Sequence, residues 1–161
     1  MQTIDSLIGE SCLKFGDKVA LRHKVAGAWQ EISYEMLWLQ AGRIANWLLR
    51  EGFQPGNHAA LLAPSSPGWV AAYLGILRAG GVVVPIDKEL KRAELRHILI
   101  DSEAHAIFSE GVWLEMVQEM APGYLIAGRL LRAAMVAVSK GGPSRSEARD
   151  EEAAPEASNE N

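Results

Sequence analysis

The sequence has few of the features that mark secreted, membrane-spanning or metal-binding proteins. Its 161 residues include one cysteine, Cys12, so no internal disulfide can form. The amino-terminal residues have neither the basic segment nor the apolar segment of a signal peptide. The longest apolar-rich stretch, residues 124–138, contains two arginines and is shorter than the roughly 18 residues that a membrane span needs. These absences predict a cytoplasmic protein without a membrane span.

An excess of one charge is also missing from most of the chain. The sequence has 16 Lys and Arg against 20 Asp and Glu, and residues 141–161 account for the whole net charge of −4 with two arginines and six carboxylates. The neutral remainder argues against nucleic-acid binding, because contacts with phosphates supply much of that affinity. Residues 141–161 have no aromatic side chain, and we expect them to form a disordered acidic tail.

The first third of the chain predicts a helix, a β-hairpin and a second helix. Residues 4–15 are amphipathic with helical spacing, and residues 19–21 and 29–32 predict the two strands of the hairpin. Ser33 is placed to cap the second helix. The apolar stripe of that helix consists of Leu37, Ala41, Ile44, Ala45 and Leu48.

The middle of the chain predicts a parallel sheet. Residues 59–63 and 82–84 are continuous apolar runs, which is typical of strands covered on both faces, and residues 104–108 predict a further strand. Helices are predicted between these strands, at residues 69–79 and around residues 95–99. Strands that alternate with helices at short spacing predict parallel β-α-β-α-β units in an α/β domain that ends near residue 110.

Beyond this point the pattern weakens. Residues 112–120 predict one helix and residues 125–138 another, with its arginines on one side. We therefore divide the chain into a partial domain at residues 1–120, a helical segment at residues 121–140 and the acidic tail at residues 141–161.

Side chains that could carry chemistry are few, and each has a structural alternative. Ser65 and Ser66 lie between a strand and a helix, where a nucleophile or a phosphate site can occur. However, no Gly-x-Ser-x-Gly elbow surrounds them, and Ser66 with Pro67 predicts a helix start. Asp87 follows a strand of the parallel sheet, where ligands of α/β proteins bind, or it caps a loop. Gly80 and its neighbour precede a strand, which indicates a helix end rather than a phosphate cradle.

Histidines and tryptophans do not form a recognisable site either. No two histidines have the i, i+4 spacing of metal ligands on a helix, which favours structural or surface roles. The four histidines are His23, His58, His97 and His105. The tryptophans have spacings typical of core or interface packing, and they are Trp29, Trp38, Trp47, Trp69 and Trp113. The sequence therefore assigns no catalytic, cofactor-binding or metal-ligating residue in this chain.

Several motifs resemble those of a known enzyme family. Residues 29–37, Trp-Gln-Glu-Ile-Ser-Tyr-Glu-Met-Leu, resemble the first core motif of AMP-forming acyl-CoA synthetases and their adenylating relatives. Residues 77–87, Leu-Arg-Ala-Gly-Gly-Val-Val-Val-Pro-Ile-Asp, are similar to the second core motif. Residues 50–58 resemble the family's Gly-Val-x-x-Gly-Asp-Arg turn, and residues 67–77 its Pro-Glu-Trp helix. The likeness runs from about residue 15 to about residue 120.

The resemblance implies the large α/β domain of an adenylate-forming ligase. It also implies a reaction in which ATP, with Mg²⁺, activates a carboxylic acid as an acyl-adenylate that is then transferred to coenzyme A. Trp29 and the residues Gly-Val-Val-Val-Pro-Ile-Asp of the second motif resemble long-chain fatty acid–CoA ligases more than the adenylation domains of peptide synthetases. The family's phosphate loop, Thr-Ser-Gly-Thr-Thr-Gly-x-Pro-Lys, does not occur in the chain. The magnesium and adenine, ribose, hinge and catalytic-lysine motifs are also absent, and Asn57 and His58 replace the usual Asp-Arg.

Two hypotheses follow. The first is an N-terminal fragment of an AMP-forming acyl-CoA synthetase, truncated or frame-disrupted, that is inactive and binds no cofactor alone. The alternative is a non-catalytic subunit that docks through an exposed apolar patch on a separately encoded remainder of the synthetase. An unrelated α/β binding module ranks third, because two motifs occur in the right order.

Overall fold

The computed structural model describes residues 3–110, 113, 116 and 117, together with the backbone of residues 124–131 and 134–139. The elements of these residues are, in chain order, α1 (Ile4–Phe15), β1 (Val19–Val25), β2 (Ala28–Ser33), α2 (Tyr34–Arg50), β3 (His58–Leu62), α3 (Pro67–Arg78), β4 (Val82–Pro85), α4 (Arg92–Asp101), β5 (Ala106–Ser109), β6 (Tyr124–Leu131) and β7 (Ala134–Ser139).

The strands form two separate sheets. β1 and β2 pair antiparallel as a two-stranded sheet, which confirms the predicted hairpin. The second sheet has the strand order β4-β3-β5-β7-β6. In it β3 is parallel to both β4 and β5, while β7 is antiparallel to β5 and to β6. The predicted α/β class and the parallel β-α-β-α-β arrangement are therefore confirmed.

The prediction for residues 125–138 is wrong, because the structure has β6 and β7 there instead of a helix. Apolar runs of this length fit a helix or strands equally well by periodicity alone. The edge of β5 that does not face β3 decides between them, since it offers backbone hydrogen-bonding groups that β7 pairs with. The sheet thus continues past the predicted end near residue 110. The acidic tail at residues 141–161 lies outside the described residues.

The prediction of a strand covered on both faces is also wrong for β4. β4 is at the edge of the sheet, with β3 as its neighbour, and the Val82 side chain is 46% exposed. β3 and β5 are interior strands, and their apolar side chains are buried. An uninterrupted run of valines therefore did not distinguish an edge strand from a central one.

Apolar side chains of β3 and β5 alternate between the two faces of the sheet. On one face, called here the α3 face, Leu61 and Phe108 pack against α2 and α3. On the other, called the α4 face, Leu62 and Ile107 pack against α4 and against Val117. The predicted stripe of α2 is confirmed, because all five of its members are buried. Each strand thus contributes to two cores, which fixes its register.

Close contact between α2 and α3 requires glycine at one position. A Cβ atom on Gly75 would lie 2.6 Å from Ile44 Cγ2 and 3.0 Å from the Ala41 carbonyl oxygen. Glycine also ends α3, because Gly80 has a φ of +78°. Its neighbour Gly81 lies so close to Phe53 that a Cβ atom would be 2.5 Å from the ring. The two glycines thus end a helix, as predicted, and Gly81 also allows close packing, which the sequence did not predict.

Arg78 connects the three helices of the α3 face. Its Nη1 donates a hydrogen bond of 2.7 Å to the Trp38 carbonyl oxygen, and its guanidinium carbon lies 3.6 Å from the centre of the Trp38 ring. Its Nε lies 4.0 Å from Asp5 Oδ1 on α1. Burial raises the pKa of the nearby Cys12 thiol, and the positive charge of Arg78 offsets part of this shift.

We predict that Gly75→Ala destabilises the fold by about 1–3 kcal/mol, because the added methyl group overlaps Ile44 and forces α2 and α3 apart. Gly68→Ala in the same helix is the control, since its Cβ atom would meet Ser66 Oγ at 3.6 Å, an ordinary contact. Urea unfolding measures both. Equal free energies of unfolding for the two variants would contradict the proposed contact.

We also predict that high pH removes the stabilising effect of Cys12. Its folded-state pKa is raised above the ordinary 9.0, so the unfolded chain loses the thiol proton first as the pH rises past that value. The free energy of unfolding then falls with pH more in the wild type than in Cys12→Ala. Urea unfolding with reductant, from about pH 7.5 to about pH 10.5, measures this difference. A difference that stays constant over this range would contradict the prediction.

Candidate functional site

The carboxyl ends of β3, β4 and β5 meet at one edge of the sheet, because the three strands are parallel. This carboxyl edge is where ligands of open α/β sheets bind. The structure places Ser65 and Ser66 after β3, Asp87 after β4 and Ser109 at the end of β5. It therefore brings the predicted serines and the aspartate to the same edge.

Ser66 acts as a helix cap at this edge. Its Oγ accepts a hydrogen bond of 3.1 Å from the Trp69 N–H, and its carbonyl oxygen accepts one of 3.1 Å from the Val70 N–H. Pro67 is the first residue of α3, which matches the predicted helix start. The Ser66 hydroxyl therefore has the structural role that the sequence predicted as the alternative.

Asp87 holds the loop that follows β4. Its Oδ1 accepts a hydrogen bond of 2.9 Å from the Glu89 N–H, and its carbonyl oxygen accepts one of 3.3 Å from the Leu90 N–H. These bonds are those of a carboxylate that caps a turn. The structure therefore supports the second alternative for Asp87, which is that its carboxylate caps a loop.

Ser109 is the polar residue that the sequence did not single out. It is 1% exposed, and its Oγ has no hydrogen-bond partner among the described residues. It pairs in register with Leu62, the last residue of β3. A buried hydroxyl without a partner is unfavourable and rare in proteins. The available sequence signal was a single serine at the end of an apolar strand, which marks many strand ends without function.

The histidines remain apart from the carboxyl edge or have structural contacts. His58 begins β3 and donates its Nδ1 hydrogen to the Ser102 carbonyl oxygen, while His105 donates its backbone N–H to the His58 carbonyl oxygen. His23 lies on β1 and His97 on α4. Within the described part of the chain, no three His, Cys, Asp or Glu residues are grouped so as to hold a metal ion.

Most tryptophans pack as expected. Trp47 makes an edge contact with Phe108, and Trp69 stacks on Tyr73 with ring centres 5.5 Å apart. Trp29 is the exception, because its side chain is 64% exposed and is covered in part by Lys24. Of the two predicted roles, core packing is therefore wrong for Trp29, whose strand belongs to the two-stranded sheet, and packing at an interface stays a prediction.

Comparison with known proteins identifies the family. The sequence model of the AMP-binding enzyme family matches residues 8–160. The chain belongs to this family. The match extends beyond residue 120, where the motif resemblance stops, and includes almost all of the acidic segment. In the part of this AMP-binding family chain that the structure describes, no helix is long and apolar enough to span a membrane.

Two curated relatives have the same percentage of sequence identity to this chain. Gramicidin S synthase 2 of Brevibacillus brevis is 31% identical over 119 residues, which cover 74% of this chain and 3% of that protein. A long-chain-fatty-acid–CoA ligase of Homo sapiens is 31% identical over 105 residues, covering 65% of this chain and 14% of that protein. Identity therefore does not favour the fatty-acid ligases over the peptide synthetases.

Solved structures show the same fold. A benzoate CoA ligase from Burkholderia xenovorans has a TM-score of 0.66 at 22% identity, over 74% of this chain and 24% of that one. An anthranilate CoA ligase with anthranoyl-AMP has a TM-score of 0.65 at 23% identity, over 72% and 22%. The chain spans between 3% and 24% of the lengths of these four relatives.

We predict that Ser66→Ala destabilises the fold by about 1 kcal/mol, because α3 loses its capping acceptor. Ser65→Ala is the matched control at the neighbouring, exposed position, with an expected change within about 0.5 kcal/mol. Thermal and urea unfolding measure both variants. If Ser66→Ala is as stable as Ser65→Ala, the assignment of Ser66 as a cap is wrong.

Proposed function

We propose that this chain forms the first part of the large domain of an AMP-forming ligase that joins a carboxylic acid to a thiol. We further propose that it serves as a scaffold and does not activate an acid by itself. The observation that carries the proposal is that the residues of both core motifs perform structural roles.

The first core motif starts a helix. Ser33 Oγ accepts a hydrogen bond of 3.2 Å from the Met36 N–H at the start of α2. The backbone N–H groups of Tyr34 and Glu35 donate to the carbonyl oxygens of Lys18 and Gly16. These bonds join the hairpin and α1 to α2. The motif therefore positions three elements relative to one another and leaves the chemistry to other parts of the ligase.

The second core motif ends a helix and begins a strand. Gly80 and Gly81 end α3 by donating to the carbonyl oxygens of Leu77 and Ile76. The chain then enters β4, and the Ile86 N–H donates to the Leu61 carbonyl oxygen beyond its end. Polar backbone groups of this motif are thus used to attach β4 to the sheet.

Formation of an acyl-adenylate requires hydrogen-bond donors or a metal ion on the phosphate oxygens that gain charge in the transition state. The chain lacks the family's phosphate loop and catalytic-lysine motif. We therefore assign the binding of ATP, Mg²⁺ and coenzyme A to the remainder of the ligase. Because of the sequence of the second motif, we propose a fatty acid as the substrate of the complete enzyme. We also propose that this enzyme acts in the cytoplasm.

The test is acid-dependent exchange of labelled pyrophosphate into ATP, measured on the purified chain with Mg²⁺. Fatty acids, benzoate and amino acids serve as substrates, and a complete acyl-CoA ligase is the positive control. We expect exchange no higher than in the blank without acid. Exchange above this blank with any acid would show that the chain itself forms an acyl-adenylate and would overturn the proposal.

A second candidate, a docking subunit for a separately produced remainder, is favoured by exposed apolar side chains. Leu13 on α1 is 90% exposed, and Trp29 on β2 is 64% exposed. Native purification from the source cells followed by mass spectrometry tests this alternative. Co-purification with a polypeptide that contains the phosphate loop supports it, whereas a monodisperse monomer contradicts it.

A further inference from the structure

The hairpin of β1 and β2 becomes more exposed towards its turn. Leu21 and Ile32 pair across the strands and pack against the core of the α3 face. In contrast, every residue from 24 to 31 is exposed. We call residues 24–29, which are the turn and the strand ends beside it, the hairpin tip. The tip therefore faces solvent in the described structure, while the other end of the hairpin is held by the core.

The turn of the hairpin tip is apolar, although its backbone favours polar residues. Ala26 has a φ of +49° and Gly27 a φ of +85°. Two-residue hairpin turns commonly use this left-handed conformation, which Asn and Asp adopt more readily than Ala. Val25 and Ala28 pair on either side of the turn, and the Val25 side chain is 43% exposed. The tip thus has exposed apolar groups where a hairpin in water commonly has polar ones.

Trp29 adds an aromatic ring to the hairpin tip. Its side chain is 64% exposed, and Lys24 Nζ lies 5.1 Å from the ring centre. The two residues pair across the strands. Trp29 begins the stretch that resembles the first core motif, but the hydrogen bond of Ser33 that starts α2 does not involve it. Tryptophan is enriched where proteins meet the interface between water and lipid, and lysine there keeps its charge in water.

The hairpin also has a charge opposite to that of the chain as a whole. Residues 18–33 carry three basic side chains and one acidic side chain, whereas the whole chain has a net charge of −4. Arg22 and the acidic residue, Glu31, form an ion pair at 2.6 Å. Lys18 and Lys24 therefore give the hairpin its excess of positive charge. Basic groups of this kind are attracted to membrane surfaces that contain anionic lipids.

The size of the hairpin tip favours a lipid surface over a protein partner. A stable protein–protein interface takes about 20–30 residues from each side, and the tip is a short turn with two strand ends. It is too small to form such an interface by itself. A membrane surface can be bound by a few apolar side chains that enter it to a shallow depth, together with basic groups that attract anionic lipids.

We propose that the hairpin tip binds reversibly to the surface of an anionic membrane. Trp29 and Val25 enter the region between the lipid headgroups and the acyl chains, and Lys24 contacts the lipid phosphates. This surface is separate from the carboxyl edge of the parallel sheet. The proposal goes beyond the proposed ligase function and does not depend on it.

The experiment is co-sedimentation of the purified full-length chain with vesicles of phosphatidylcholine mixed with phosphatidylserine, compared with vesicles of phosphatidylcholine alone. We expect the chain to pellet with the anionic vesicles, and to do so less as sodium chloride screens the lysines. A chain that stays in the supernatant with both kinds of vesicle overturns the proposal and indicates a protein partner for the tip. Equal binding to both kinds also overturns it.

Insertion of the tryptophan is measured with anionic vesicles whose acyl chains carry bromine, which quenches tryptophan fluorescence on contact. We expect these vesicles to quench part of the fluorescence of the wild type. Trp29→Phe should still pellet with the vesicles, but this part of the quenching should be lost. Equal quenching of the wild type and Trp29→Phe would show that another tryptophan meets the lipid and would overturn the proposal.

Variants connect the binding to the hairpin tip. Trp29→Ser should weaken binding to anionic vesicles by about tenfold or more, because it removes the largest apolar side chain of the tip. Lys24→Gln should weaken it by about fivefold. Leu13→Ser is the matched control, because Leu13 is 90% exposed on α1, and it should bind as the wild type does.

Circular dichroism and urea unfolding show whether each variant folds as the wild type does, which is expected because the replaced side chains are exposed. The proposal is overturned if Trp29→Ser binds as tightly as the wild type, or if Leu13→Ser weakens binding as much as Trp29→Ser. Because the readout is binding to vesicles, these outcomes are independent of the pyrophosphate exchange.

Discussion

The burial of β3 on both faces is the constraint on which the rest of the structure depends. Its backbone pairs with β4 on one side and β5 on the other, and its side chains reach both cores. With no room for a polar side chain along Ala59 to Leu62, every neighbouring element must supply an apolar surface. α2, α3 and α4 do so, and the close approach of α2 to α3 at Gly75 follows from this packing.

The same constraint explains where the polar groups are. Parallel strands end at one edge, so Ser109 at the end of β5 and the loops with Ser66 and Asp87 lie there whatever the function of the chain. Two of these residues use their side chains to support the backbone. Ser109 does not, because its hydroxyl is buried without a hydrogen-bond partner among the described residues. The family motifs, in contrast, are explained by helix ends and strand attachment.

Local signals in the sequence were sufficient for the elements up to Ser109. Ser33 and Ser66 cap the predicted helices because a side-chain oxygen next to a free helical N–H needs no distant partner. The stripe from Leu37 to Leu48 was predictable because the helical period alone places its members on one side. The errors occurred where distant residues decide. Among the described strands β4 pairs with β3 alone, which makes it an edge strand, and β7 is a strand because it pairs with β5 and β6. Local sequence patterns do not contain this information.

By itself, the sequence determined the α/β class, the order of elements up to Ser109 and the motifs of an adenylate-forming ligase. The class and the order of elements depend on periodicity, caps and turns, whose physical causes act within a few residues of the chain, whereas the family motifs depend on resemblance. Only the tertiary structure decided the strand order, the exposure of Val82 and Trp29, and the isolation of the Ser109 hydroxyl. Each of these depends on contacts between residues far apart in the sequence, where burial and hydrogen bonding are set by the packed chain.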